Sequence, residues 1–144
     1  MISIKNLDCI LLVDDDGIYN FLHKKLINTA GYENHIEIAL NGKTALDYLN
    51  ECYKNDHDEN HPLPGLILLD INMPVMNGWE FIDAFNELDK DFTRDITIVM
   101  VSSSMDPDDV TKAQKIKILR EFTSKPLTIK KIDHIFKTCL IRVV

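Results

Sequence analysis

A short apolar run that stops at an acid is the feature that most limits how this chain can fold. The run is Leu66 to Leu69, Asp70 follows it directly, and Pro74 lies in the segment after that. An unbroken apolar run of this length is typical of a strand buried on both faces, as in a parallel sheet. Ligand sites in such sheets lie at the carboxyl ends of the strands. The segment therefore predicts a central strand that ends in a candidate nucleophile, Asp70.

Segments with strand and helix patterns alternate five times along the chain. The strand runs cover residues 9–13, 35–39, 66–69, 96–101 and about 119–124. Helical spacing of apolar residues, or a polar helix, follows each run, around 18–27, 45–49, 79–88, 108–117 and 129–140. A polar stretch at 51–64 interrupts the rhythm and is predicted to be a surface loop of unassigned role. The alternation predicts an α/β fold, a parallel sheet covered by helices on both faces.

Composition narrows the class of protein. The chain has 144 residues and is expected to form a single domain over 1–144, with its core at about 8–141. A formal charge of −7 argues against nucleic acid as a partner, because phosphate backbones require a basic face. The 3 cysteines form no CxxC pair, which argues against a disulfide framework or zinc site. No signal peptide or membrane-spanning run is visible, so we expect a soluble, cytoplasmic protein without a membrane partner.

Charged or hydroxyl-bearing side chains follow the first, third, fourth and fifth predicted strands. They are Asp14 with Asp15, then Asp70, Ser102 and Lys125. If the first and third strands are neighbours, the three acids converge, and closely spaced carboxylates favour a neutralising cation. Mg²⁺ suits such oxygen ligands. Asp70 could then attack phosphorus while Ser102 and Lys125 bind phosphoryl oxygens, since phosphoryl transfer depends mainly on positioning and charge neutralisation.

These motifs together resemble the receiver domain of two-component response regulators, of the single-domain kind related to the chemotaxis regulator. The matching motifs run from about Ile10 to Leu140 and are Val13-Asp14-Asp15, Asp70-Ile71-Asn72-Met73-Pro74 with Gly78, Val101-Ser102-Ser103, and Lys125-Pro126. The resemblance implies a flavodoxin-like doubly wound (βα)5 fold with strand order 2-1-3-4-5. It also implies a stand-alone receiver with no effector domain, which acts by switching protein–protein interactions.

The resemblance implies a phosphorylation site. Asp70 would accept a phosphoryl group from a histidine kinase or phosphotransfer protein in a Mg²⁺-dependent reaction. Asp15 would ligate the metal directly, Asp14 mostly through water, Asp70 through its carboxylate and Asn72 through its backbone carbonyl. Lys125 would contact the phosphoryl oxygens, and the bond from Lys125 to Pro126 is commonly cis in this family. Such a protein is a signalling receiver that catalyses its own phosphorylation and dephosphorylation, not an enzyme with a separate substrate.

The resemblance also implies a switch and a docking face. Ser102 and Phe122 would form the switch pair, with the hydroxyl moving toward the phosphoryl group and the ring turning inward. Both depart from the commoner Thr and Tyr, and Phe122 has no hydroxyl with which to hold its inward state. The downstream target would dock on the fourth helix, fifth strand and fifth helix. Residues 113–120 lack the Gly-Ala often found before the fifth strand.

Two alternative functions remain open from the sequence. A Mg²⁺-dependent phosphohydrolase with an aspartyl nucleophile usually has a second Asp two residues later, where this chain has Asn72. A binding module that has lost phosphorylation would lack one of the acids or Lys125. Among the remaining polar residues, Asp16 is expected to cap the first helix, and His23 and His134 are expected at helix surfaces. His57 and His61 lie in the polar 51–64 stretch, where solvated side chains are the better interpretation.

Overall fold

The five predicted strands form one parallel sheet in a computed structural model, which describes residues 2–4, 7–32, 34–55, 59–139 and 141–143. The strands are β1 (Cys9–Val13), β2 (His35–Ala39), β3 (Pro64–Leu69), β4 (Thr97–Ser102) and β5 (Leu119–Ser124). Their order in the sheet is β2-β1-β3-β4-β5. The predicted doubly wound order 2-1-3-4-5 is confirmed. Because β1 pairs with β3 in a register that aligns Val13 with Leu69, the residues following the two strands lie side by side.

Among the described residues, the longer helices that connect and cover the strands are α1 (Gly17–Thr29), α2 (Gly42–Lys54), α3 (Gly78–Phe85), α4 (Pro107–Gln114) and α5 (Ile129–His134). A short helix, Lys90–Thr93, precedes β4, and α5 continues as one π-helical segment, Ile135–Cys139. Within the described ranges, no helix combines the length and the apolar character needed to cross a bilayer.

Several predicted boundaries were wrong. Helix α2 extends to Lys54, so the first part of the predicted 51–64 loop is helical, and β3 already begins at Pro64. Residues 56–58 of that loop lie outside the described residues. Helix α4 ends at Gln114, short of the predicted 117, because its apolar spacing is weak and Ile116 instead packs against the core. Leu140, the predicted end of the last helix, is also outside the described residues.

A second, two-stranded sheet joins the ends of the chain. Ile2–Ile4 pairs antiparallel with Ile141–Val143, and Ser3 lies opposite Arg142. Each strand has three residues, too few for a recognisable alternation of apolar and polar positions. This pairing was consequently not predicted from the sequence.

The core consists of two apolar clusters, one on each face of the sheet. Leu12 and Leu68 face the first cluster, to which α1 contributes Ile27 and α5 contributes Ile132. Leu11, Ile67 and their neighbours face the second cluster, which α2 and α3 complete. The second cluster is anchored by the side chains Ala45, Leu49, Phe81, Ile82 and Phe85. Continuous apolar strands were predicted to be buried on both faces, and the burial of every residue of β1 and β4 confirms this.

The loop after β3 is held tightly at both ends. The backbone N–H of Gly78 donates to the carbonyl of Ile71 at 2.8 Å, and the N–H of Gly42 donates to that of Met76 at 2.9 Å. A Cβ on Gly78 would press into the carbonyl of Asp70 and approach the Cα of Ile71 at 3.0 Å. The absence of a side chain at Gly78 therefore lets α3 begin directly against the backbone of Asp70.

We expect Gly78→Ala to destabilise the domain by about 1–3 kcal/mol, because the added methyl must displace backbone atoms in a packed region. Urea unfolding of the purified variant measures this. Gly17→Ala is the matched control, since a Cβ there meets nothing within 4 Å. Equal free energies of unfolding for the Gly78 and Gly17 variants would show that the loop accommodates the added methyl group without loss of stability.

Candidate functional site

Three acidic residues meet at the carboxyl ends of β1 and β3. Asp14, Asp15 and Asp70 each place one carboxylate oxygen within 4.8 Å of the others. The backbone fixes two of them, because the N–H of Asp14 donates to Ala39 O at 3.0 Å and that of Asp70 donates to Val13 O at 2.9 Å. Asp14 and Asp70 are only 5% and 6% exposed, whereas Asp15 is exposed. The convergence predicted from the strand order is therefore present.

The ammonium of Lys125 lies between two of these acids. Its Nζ is 2.6 Å from Asp14 Oδ2 and 3.2 Å from Asp70 Oδ1, and its side chain is 4% exposed. Lys125 follows β5, and its backbone N–H donates to the carbonyl of Ser102 at the end of β4, at 2.8 Å. The peptide bond to Pro126 is cis. The sheet thus brings a buried cation from one strand end to carboxylates from two others.

Burial and neighbouring charges shift the pKa values of Asp70 and Lys125. Burial raises the pKa of Asp70 and the negative charge of Asp14 raises it further, while Lys125 opposes both effects. For Lys125, burial alone would lower the pKa, but the hydrogen bond to the Asp14 carboxylate and the charges of both acids outweigh it, and the pKa is raised. Lys125 pairs with Asp14 and Asp70, and Asp15 adds a third carboxylate to the cluster, so surplus negative charge remains that a cation would neutralise.

Ser102 ends β4, and Phe122 lies within the neighbouring strand β5, two residues before its end. The Ser102 side chain is 1% exposed, and its Oγ donates to Ser104 O at 2.8 Å and accepts from Ser104 N at 3.1 Å. Phe122 is half-buried, pairs with Met100 in the sheet and packs against the α2 and α3 side of the core. The hydroxyl is consequently bound to its own loop in this conformation.

Comparison with known proteins identifies the family. A family model described as the response regulator receiver domain matches residues 10–137. The chain belongs to the response regulator receiver domain family. Receiver domains are the signal-accepting parts of two-component response regulators.

Proteins similar to this receiver domain occur in several different organisms. A crystal structure of a two-component response regulator from Cytophaga hutchinsonii is 34% identical, with a TM-score of 0.82, and the match covers 94% of this chain and 98% of that one. Two-component response regulator 24 of Arabidopsis thaliana is 32% identical over 85% of this chain and 76% of its own length. Response regulator Rcp1 of Synechocystis is 29% identical over 76% of this chain and 71% of its own. A structure of the Mn(2+)-bound form of Rcp1 superposes with a TM-score of 0.71, at 26% identity over 92% of this chain and 94% of that one.

Asp16, Asn72 and His134 of the receiver domain lie where the sequence placed them. Asp16 is the N-cap of α1, and its Oδ1 accepts from the N–H groups of Ile18 at 2.9 Å and Tyr19 at 3.3 Å. Asn72 is exposed in the loop after β3. His134 is exposed and lies 3.0 Å from Glu121 Oε1, so its surface prediction is confirmed. Of the histidines in the 51–64 stretch, His57 is outside the described residues.

The prediction of a surface position for His23 was wrong. Its ring is 4% exposed, and its Nε2 accepts a hydrogen bond from the backbone N–H of Leu127 at 3.2 Å. Burial lowers its pKa to about 4, the charge of Lys125 contributes to the lowering, and Asp14 opposes it. Asn20, one turn earlier and 3% exposed, donates to the carbonyl of Asp14 at 2.9 Å. Sequence reasoning missed both residues because it counted only apolar positions on α1.

The spacing of Asn20, His23 and Ile27 could have indicated which face of α1 is buried. Steps of three and four residues place them on one face of a helix, and Ile27 is fully buried. The apolar residues Ile18 and Phe21, which contributed to the prediction of α1, are instead 80% and 70% exposed. The helix was predicted correctly, but its buried face is rotated toward polar residues that support the acidic site.

Proposed function

We propose that this receiver domain accepts a phosphoryl group on Asp70 from a phosphohistidine of a histidine kinase or phosphotransfer protein. The observation that carries the proposal is the position of the Lys125 ammonium, 2.6 Å from Asp14 and 3.2 Å from Asp70 in a buried acidic cluster. A carboxylate nucleophile beside a fixed cation satisfies the main requirements of phosphoryl transfer, which are positioning and charge neutralisation.

Asp70 acts as the nucleophile in this proposal. A carboxylate oxygen of Asp70 attacks phosphorus, and the P–N bond to the donor imidazole breaks with its electron pair passing to the imidazole nitrogen. The product is an acyl phosphate on Asp70. Burial raises the pKa of Asp70 and the charge of Lys125 opposes this effect, and the Lys125 ammonium is close enough to pair with a transferred phosphoryl oxygen.

The acidic cluster fits a hard divalent cation. Oxygens of Asp14, Asp15 and Asp70 lie within 4.8 Å of one another, and Mg²⁺ prefers such carboxylate ligands together with water. Both oxygens of Asp14 already accept hydrogen bonds, Oδ1 from the Asp16 N–H at 2.9 Å and Oδ2 from Lys125 at 2.6 Å. The family resemblance implies direct ligation by Asp15, Asp70 and the Asn72 carbonyl, with Asp14 acting mostly through water, and the two hydrogen bonds to Asp14 support its indirect role. When bound, Mg²⁺ neutralises charge on the phosphoryl donor and orients it.

Ser102 and Phe122 are proposed to form the switch. The Ser102 hydroxyl, now bound to Ser104, would exchange that partner for a phosphoryl oxygen. Phe122 has no hydroxyl, so its inward state would depend on packing against the α2 and α3 side of the core, where it already makes contact.

The readout face is proposed to lie on β5 with α4 and α5. A cavity of about 380 Å³ lies between β5 and α5. It is lined by Glu121, Thr123, Thr128, Lys130, Lys131, His134 and Ile135. Its mixed charge suits a protein partner rather than a nucleic acid, whose backbone requires a basic surface.

Incubation of the purified protein with acetyl phosphate and Mg²⁺, followed by intact-mass spectrometry, tests the proposal. We expect one phosphoryl group on each chain. A chain that remains unmodified under these conditions and with a phosphorylated phosphotransfer protein would favour the binding-module alternative. Steady release of phosphate from small phosphate esters would favour the phosphohydrolase.

Removal of the divalent cation gives a separate prediction. We expect chelation of Mg²⁺ to slow phosphorylation by on the order of 10²-fold, because the charge on the donor is then neutralised by Lys125 alone. The measurement is the labelling rate with excess chelator, compared with the rate after Mg²⁺ is restored. Rates that are equal with and without the cation would remove the metal from the proposal and leave Asp70 as the acceptor.

A further inference from the structure

Helix α1 contacts the segment Lys125–Leu127 at both ends. At one end, Lys125 Nζ lies 4.6 Å from the centroid of the Tyr19 ring, a distance suited to a cation–π interaction. At the other end, the N–H of Leu127 donates to His23 Nε2 at 3.2 Å. Tyr19 and His23 are one helical turn apart, and their ring centroids are separated by 5.7 Å. One face of α1 therefore borders the whole segment that carries the ammonium.

The hydrogen bond to His23 is buried and fixes the state of the ring. Leu127 is 1% exposed and His23 is 4% exposed, so the Leu127 N–H has no access to bulk water. A backbone N–H can only donate, and therefore Nε2 must carry a lone pair and the ring proton must be on Nδ1. Leaving such a buried N–H without a partner is costly, which gives this contact the strength to hold the backbone in place.

The segment is anchored on both sides of Pro126, which has no N–H of its own. Before it, the N–H of Lys125 donates to Ser102 O at 2.8 Å. After it, Leu127 is bound by His23. Between these anchors, the Lys125 side chain extends to Asp14 and Asp70. Without the hydrogen bond from Leu127 to His23, one end of the backbone segment that carries the Lys125 side chain would be free to move.

We propose that His23, together with Tyr19, is a positioning residue that sets the location of the Lys125 ammonium between Asp14 and Asp70. His23 does so through the backbone of Leu127, and Tyr19 does so through its ring face. The functional consequence rests on the proposed phosphorylation of Asp70, whereas the positioning itself is a property of the unphosphorylated protein. The two can therefore be tested separately.

His23→Asn and His23→Gln form a matched pair of variants. The amide of Gln reaches the Nε2 position and can accept from Leu127, while that of Asn is one methylene too short. His23→Leu is a further variant without an acceptor, for use if the Asn variant does not fold. His35→Leu is the control for loss of a histidine, because His35 is exposed at the start of β2.

Nuclear magnetic resonance of the unphosphorylated protein tests the positioning directly. Because Lys125 Nζ lies 4.6 Å from the centroid of the Tyr19 ring, we expect the ring current to shift the Lys125 Cε methylene protons, and Tyr19→Leu supplies the reference without a ring. We expect His23→Asn to move these resonances toward the Tyr19→Leu values, and His23→Gln and His35→Leu to leave them in place. Unchanged resonances in a folded His23→Asn protein, or a wild-type His23 protonated on Nε2, would overturn the proposal whether or not Asp70 is phosphorylated.

Phosphorylation rates with acetyl phosphate and Mg²⁺ test the consequence. We expect His23→Asn to slow labelling by about tenfold or more, as displacement of a catalytic group commonly does, and His23→Gln to restore most of the rate. In a Lys125→Ala background the Asn substitution should have no further effect, since the residue acts through Lys125. If His23→Asn lowers the labelling rate equally in the wild-type and Lys125→Ala proteins, His23 does not act through Lys125. Failure of the wild type to label would refute the proposed function but not the positioning.

Discussion

Asp70→Asn is expected to abolish phosphorylation. The substitution keeps the shape of the side chain and removes the anionic oxygen that attacks phosphorus, so labelling by acetyl phosphate or by a phosphotransfer protein should fall below detection. Intact-mass spectrometry measures the loss. Asp83→Asn, on the exposed side of α3, is the control and should label at the wild-type rate. Full labelling of the Asp70 variant would place the acceptor elsewhere.

The same variant should be more stable than the wild type at neutral pH. Burial and Asp14 raise the pKa of Asp70, so the folded protein holds this proton more tightly than the unfolded chain does. The ionised carboxylate therefore destabilises the fold, and replacing it with Asn should raise the free energy of unfolding by on the order of 1 kcal/mol. The gain should shrink as the pH falls into the carboxyl range, where Asp70 is protonated in both states. Urea unfolding at several pH values measures it.

Lys125→Ala is expected to have large effects on both activity and stability. Phosphorylation should slow by on the order of 10²-fold, because a fixed positive group beside the transferred phosphoryl is lost. The variant also leaves Asp14 and Asp70 buried without their cation, which typically costs about 3–5 kcal/mol of unfolding free energy. Labelling kinetics and urea unfolding measure the two effects separately.

Lys43→Ala is a control matched in distance. Lys43 Nζ lies 2.6 Å from Asp47 Oδ1, as close as Lys125 is to Asp14, but its side chain is 57% exposed. Removing an exposed pair of this kind should cost only about 0.5 kcal/mol. Similar losses for the two lysines would contradict the view that burial makes Lys125 important.

The pH dependence of the Lys125→Ala protein follows from the same acids. Without the ammonium, the influences that raise the pKa of Asp70, its burial and the charge of Asp14, are unopposed by Lys125. The folded state then binds protons that the unfolded chain has released, so the stability deficit should be smallest at acid pH and grow as the pH rises through the folded pKa. A deficit that stays constant from acid to neutral pH would show that the loss is one of packing rather than of charge.

Local patterns were sufficient to predict the strands and the polar side chains that follow them. The apolar runs before Asp14, Asp70 and Ser102 predicted buried parallel strands, since only such strands are apolar on both faces. The predicted end of α4 was wrong because the apolar spacing along this helix is weak. The ribbon formed by Ile2–Ile4 and Ile141–Val143 was missed because pairing between the two chain ends leaves no local pattern.

The candidate site likewise has some features that the sequence predicted and others that only the structure shows. The sequence by itself determined the residue types at the strand ends, namely the acids, the hydroxyl and the lysine, and also the cap Asp16. Apolar runs precede Asp14, Asp70 and Ser102, whereas Lys125 was assigned from its motif with Pro126. Only the tertiary structure decided that Lys125 Nζ lies between Asp14 and Asp70 and that His23 is buried beneath the segment carrying it. The physical reason is that burial and ion pairing arise from contacts between elements distant in sequence. Helical periodicity shows which residues share a face, but packing determines which face is buried.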